Sequence, residues 1–171
     1  MSKISAKIKE ETAALIPPTV FFFGSLLIIG LVRALLLRGT GVAPATPLTM
    51  LLAALVLAKA VLLADLWPAI NRYPDKPLVY NVAWKTLIYS AVATVLHYLE
   101  RLIDFWREAG SFMAANRLML AKMVWAHFWA IELVIVVLVL DYCVIAEFAR
   151  ALGPKELRQM FFGPKPLPTV S

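Results

Sequence analysis

The sequence predicts an all-α membrane protein with four transmembrane helices. An interfacial N-terminal helix precedes them, and the third and fourth helices form a long hairpin projecting beyond the bilayer. Three observations carry this reading. First, 61% of the 171 residues are hydrophobic, only 16% are charged, and the mean hydropathy is +0.78. A soluble domain is about 45–50% apolar and about 25% charged, so lipid must cover much of this surface. Second, apolar runs of spanning length recur at about 18–37, 48–69, 78–97 and 123–145. Third, the helical pattern of the third run continues past the membrane as an amphipathic segment. Residues 1–151 then form one transmembrane domain with a stalk at 98–122, and 152–171 form a C-terminal tail.

The elements follow in order. Residues 3–16 place Ile4, Ile8 and Leu15 at helical spacing among lysines and glutamates, the pattern of a helix lying on the membrane surface. Pro17-Pro18 is expected to end it. The run 18–37 supplies about 20 residues, enough at about 1.5 Å per residue for a hydrocarbon core of about 30 Å. Arg33 and Arg38 snorkel at its far end. Ala43-Pro44-Ala45 imitates a signal-peptide cleavage site. The apolar run exceeds a secretory h-region, however, and proline sits inside the would-be site, so the run is read as a span.

A loop rich in Gly, Pro and Thr (39–47) leads to the second span. Its small-residue ridges Ala54/Ala58 and Ala60/Ala64 allow close helix approach. The segment 71–77 (NRYPDKP) reads as a tight polar turn. Beyond the third span, residues 98–108 (YLERLIDFWRE) alternate apolar and charged positions at helical spacing. Ala109-Gly110-Ser111 is the turn, with Ser111 as the next cap. The fourth helix is expected to run unbroken from 112 to 151, where Gly153-Pro154 stops it, and the end of the tail, GPKPLPTVS (163–171), is expected to be extended. Pairing around Gly110 sets Asp104 against Arg117 and Glu100 near Lys122.

The chemistry rests on ionisable residues inside apolar helices. Lys59, Lys85 and Glu132 each lie within a span. A charge near the bilayer centre costs about 2.5–3.5 kcal/mol on insertion scales, so it faces a partner, a cavity or a site. Depth matching across an unbroken hairpin brings Lys85 to Glu132, with Lys59 joining them and Asp65 able to reach Lys85. The cluster is read as an ion-pair network fixing helix order, with a relay for a proton or ion as the sharper alternative.

His97 and His127 form a second pair near the stalk side, and two histidines on neighbouring helices can ligate a b-type haem. The simpler reading is two wet interfacial histidines, and no cofactor is expected. At about 100° per residue, His127 and Glu132 differ by about 140°, so one interior cannot hold both sets. That points to an oligomer or a larger complex. Cys143 is alone and reads as a small buried apolar residue. Trp67, Tyr73, Tyr80, Trp84 and Tyr142 gather toward one interface, and Tyr98, Trp125 and Trp129 toward the other, as an aromatic belt.

No G-x-S-x-G, Walker loop, H-E-x-x-H or G-x-G-x-x-G occurs, so an enzyme is not expected and no metal site can be built. The net charge of +6 arises outside the apolar runs and serves membrane orientation, not nucleic-acid binding. Counting Lys and Arg gives nine on the side of the termini and the 71–77 turn, against six opposite, which places both termini in the cytoplasm. The expected protein is a non-catalytic subunit of a bacterial inner membrane: a scaffold, accessory or assembly protein, oligomeric with itself or other membrane subunits. A small ion or proton channel or transporter and a b-haem electron carrier are the alternatives.

Overall fold

The computed structural model describes the backbone of residues 2–39, 45–71 and 77–163; side chains at 2–13, 71, 108, 154, 155, 161 and 162 are excluded. The described chain is helical, without strands. Three stretches are long and apolar enough to cross a membrane: Ala14–Leu36, Pro47–Asp65 and Trp125–Leu152.

Helix α1 (Ser2–Leu36) is continuous, so the expected stop at Pro17-Pro18 does not occur. The two prolines remove two backbone donors, freeing two carbonyls of the preceding turn. Breaking the helix in an apolar medium would free more groups than that, so continuing is the cheaper course. The hydroxyls that follow are satisfied on the helix itself: Thr19 donates to the Leu15 carbonyl at 2.7 Å and Ser25 to the Phe21 carbonyl at 2.9 Å.

Helix α2 (Pro47–Asp65) starts on Thr46, whose hydroxyl accepts from the Thr49 amide at 3.3 Å, with Pro47 at the first helical position. It ends at Asp65, four residues before the expected boundary at 69. Pro68 has no amide to extend it, and a single 3-10 turn (Pro68–Asn71) follows. Ala54, Ala58, Ala60 and Ala64 are all buried, since α2 lies against both α1 and the third helix. The polar turn expected at 71–77 falls largely outside the described residues.

Helix α3 (Leu78–Ala109) is 32 residues long. It is not among the apolar spans, because Asn81, Lys85, Thr86, Ser90 and Thr94 interrupt its first half. It ends at Gly110, whose φ of 71° is left-handed and therefore favours glycine. Ser111 then caps α4 (Phe112–Lys122), accepting from the Ala114 amide at 3.3 Å. Helix α4 lies on the second half of α3, burying Leu102, Ala115 and Met119. Asp104–Arg117 and Glu100–Lys122 do not pair. Instead Tyr98 donates to Asn116 at 2.7 Å, and the Lys122 ammonium sits 5.9 Å over the Phe105 ring.

The expected unbroken fourth helix is two helices. Met123 and Val124 are extended, and α5 (Trp125–Leu152) begins anew. Helical angle explains the break. Met119 and Glu132 are both buried, yet thirteen residues of straight helix would set them about 140° apart. Only a reset between them turns both toward neighbours. The return path also leaves the line of α3. Between the Tyr98–Asn116 and Thr94–Glu132 contacts, α3 advances four residues (98 − 94) and the return path sixteen (132 − 116). Those are about 6 Å and about 24 Å of helix, a mismatch that a collinear α4 and α5 could not produce.

Gly153 (φ 80°) ends α5, and Pro154 opens a short helix, α6 (Pro154–Phe162). Proline at the first helical position needs no amide partner, so it stops one helix and starts the next. Residues 164–171 lie outside the described residues. The main core collects α1, α2, α3 and α5 around Phe22, Val61, Ile70 and Val139. Helices α1 and α5 meet only over a short stretch, where the Phe21 and Phe22 rings pack at tilted angles against Tyr142.

Candidate functional site

Helix α3 supplies the polar side of every internal site. Its charged and hydroxyl groups are spaced by three or four residues, so they form adjacent ridges that face α2 and α5. Three centres result.

The first is a closed ion pair. The Lys85 ammonium donates to Glu147 Oε1 at 2.6 Å, and both residues are only 3% exposed. Arg150, exposed to solvent, donates to the same oxygen at 2.9 Å. Glu132 was the expected partner of Lys85, and the structure corrects this. The depth match assumed a straight return helix, and the break at Met123–Val124 shifts the register. A sequence signal for Glu147 did exist: fifteen residues on, it lies only about 60° from Glu132 around α5.

The second centre lies deeper. Thr94 donates to Glu132 Oε2 at 2.5 Å, and Glu132 is buried at 6% exposure. Its other oxygen, Oε1, is sealed without a hydrogen-bond partner among the described residues, as are Thr86 Oγ1 and Ser90 Oγ. Thr86, Ser90 and Thr94 recur every four residues and share the ridge that meets α5.

Asp65 is not drawn to Lys85. It is exposed at the end of α2, and the buried Tyr89 hydroxyl donates to its Oδ1 at 2.5 Å. Lys59 does not join any cluster either. It is exposed on the outer face of α2 with no ion pair or hydrogen bond among the described residues. Its neighbours Ala58 and Ala60 occupy the two buried ridges, so position 59 is left to point outward. Asp141 on α5 is likewise exposed and unpaired among the described residues. It lies about 180° from the buried Glu132 around the helix.

The third centre is a groove of about 770 Å³ between α1, α2, α3 and α5. Its wall is mostly aliphatic, and Arg33, His97, Glu100 and His127 stand toward one end. Both histidines singled out by the sequence therefore line one groove, on a different face from Glu132. His127 is exposed. His97 is half-buried, its ring 6.4 Å from Phe128 at an interplanar angle of 29°, and its Nε2 has no partner among the described residues. Among the described residues, no three His, Cys, Asp or Glu side chains converge as a metal site would require. Cys143 is buried and free. Trp67, Tyr80, Trp125 and Trp129 are exposed, while Trp84 is tied inward, its indole donating to the Ala69 carbonyl at 2.9 Å. Tyr73 lies outside the described residues.

Compared with protein-family models, curated proteins and solved structures, the chain matches none of them.

Proposed function

We propose that this protein is a non-catalytic integral membrane subunit that works by assembly, most simply with a second copy of itself. One observation carries the reading: Lys59 and Asp141 are opposite charges on outward faces of apolar helices, and neither has a partner among the described residues. Lys85 is closed internally by Glu147, and buried Glu132 accepts from Thr94 on one of its two oxygens. Lys59 lies six residues (65 − 59) from Asp65, and Asp141 six (147 − 141) from Glu147, or about 9 Å in each case. Tyr89 and Lys85 tie those reference points to adjacent turns of α3. The two outward charges thus lie at depths within about one helical turn of each other. A lysine can snorkel to the headgroups, but an aspartate is too short, so pairing between copies accounts for both.

The first half of α3 is read as a fourth span. It runs beside α2 from the Tyr89–Asp65 contact to the groove shared with Leu57 and Ala93, with Lys85 and Tyr89 turned inward. Both termini then share one side, and the count of basic residues favours the cytoplasmic face of a bacterial inner membrane. The second half of α3 with α4 forms the part outside the bilayer.

The test is charge reversal. Lys59→Asp and Asp141→Lys each lower the native oligomer in mild detergent, and the double reversal restores it. Unchanged particle mass in all three variants would sink the assembly reading. A second reading, passage of protons or ions, draws on the unpartnered Thr86, Ser90 and Glu132 atoms buried along the α3–α5 seam, which water could bridge. Flux in liposomes that disappears in Glu132→Gln while assembly survives would favour it.

A further inference from the structure

The groove of about 770 Å³ has two properties that together define a ligand. Its length matches one leaflet. From His127, in the first turn of α5, to Leu138 at its deep end, it follows eleven residues (138 − 127), or about 16 Å of helix. One leaflet of hydrocarbon is half of about 30 Å. Its deep wall is aliphatic, with Leu57, Ala93 and Leu138 around the midplane end. Its mouth is charged with both signs. Arg33 and Glu100 both line it, both are exposed, and they do not pair with each other. A cation and an anion that line one mouth without pairing complement a zwitterion. His97 and His127 line the same end of the groove.

We propose that this groove binds one aminophospholipid of the leaflet on the side of the α1 C-terminus. Its phosphate meets Arg33, its primary ammonium meets Glu100, and its acyl chains run along the aliphatic wall. Ionised carboxylate accepts hydrogen bonds and cannot donate them, so Glu100 distinguishes a primary ammonium from a choline head. Arg33 offers a planar fork suited to phosphate. Four helices line the groove, so the lipid would act as a wedge where α1 and α5 barely touch. This inference needs only the membrane setting and stands whether or not the chain assembles through Lys59 and Asp141.

The experiment uses the full chain, delipidated in mild detergent and titrated separately with phosphatidylethanolamine, phosphatidylcholine and phosphatidylglycerol while intact protein–lipid adducts are counted by native mass spectrometry. One phosphatidylethanolamine is expected per chain, held roughly tenfold more tightly than either other lipid, which corresponds to about 1.4 kcal/mol. Glu100→Gln should abolish the preference over phosphatidylcholine, and Arg33→Gln should weaken all three lipids together. Both side chains are exposed, so neither change disturbs the core, and unchanged helical circular dichroism checks this. Equal retention of the three, an absent adduct, or a preference unmoved by Glu100→Gln would each overturn the proposal.

Discussion

Removing Glu147 should damage this protein far more than removing the lysine it binds. Lys85 is 3% exposed, and its ammonium touches one carboxylate, Glu147 Oε1 at 2.6 Å. Glu147→Ala leaves that ammonium buried and uncompensated. Breaking a buried pair from one side costs about 3–5 kcal/mol. Lys85→Met is different, because Glu147 keeps Arg150 at 2.9 Å and that arginine side chain is 62% exposed. The remaining bond is screened and contributes only about 0–1 kcal/mol, but it leads the carboxylate toward water and spares it isolation. The double variant Lys85→Met/Glu147→Leu removes both charges and fills similar volume, so it should recover most of the loss. In a chain of this size about 1 kcal/mol shifts Tm by about 2–4 °C. Glu147→Ala should therefore lower Tm in detergent by about 6–20 °C, with Lys85→Met well short of that and the double variant close to the parent. Equal losses for the two single variants, or a double variant as unstable as Glu147→Ala, would refute the reasoning.

Three further outcomes follow from the same geometry. Glu132→Gln keeps an acceptor for Thr94 and removes a charge whose second oxygen has no partner, so it should change Tm by less than about 3 °C; a loss as large as that of Glu147→Ala would show that Glu132 holds an unseen cation. Gly110→Ala places a side chain at φ 71° in open space, so backbone strain alone should cost about 1 kcal/mol, and Gly110→Asn should cost less; a neutral alanine by thermal unfolding would contradict the left-handed turn. Purified protein should show no Soret band, since the groove holding His97 and His127 is read as a lipid site; a band lost in His97→Ala would identify a bis-histidine haem there instead.

Much of the architecture was legible without coordinates because it follows from local rules. Three of the four apolar runs, the turn at Gly110 with its cap at Ser111, the stop at Gly153-Pro154 and the two alanine ridges of α2 each depend on residues close in sequence. Angular bookkeeping also placed Asp141 opposite Glu132, and the structure leaves Asp141 on the outer face. The prolines at 17 and 18 were misjudged because the rule that they end helices weighs one or two lost bonds against water. In an apolar setting the alternative is worse.

What the sequence determined by itself is that charges must be accommodated inside apolar helices, and that the two groups of polar residues cannot share one face. Both are consequences of composition and of a fixed rotation per residue. Which charge meets which was decided only by tertiary structure. The break at Met123–Val124 carries no glycine or proline to announce it. It exists because Met119 and Glu132 must both face inward, a demand made by packing across the chain. That reset moves Lys85 from Glu132 to Glu147 and turns the histidines to a groove of their own. The exposure of Lys59 has the same origin, since both flanking alanine ridges are claimed by neighbouring helices. The residues were always visible, but their partners were set by helix register, a property of the assembled fold.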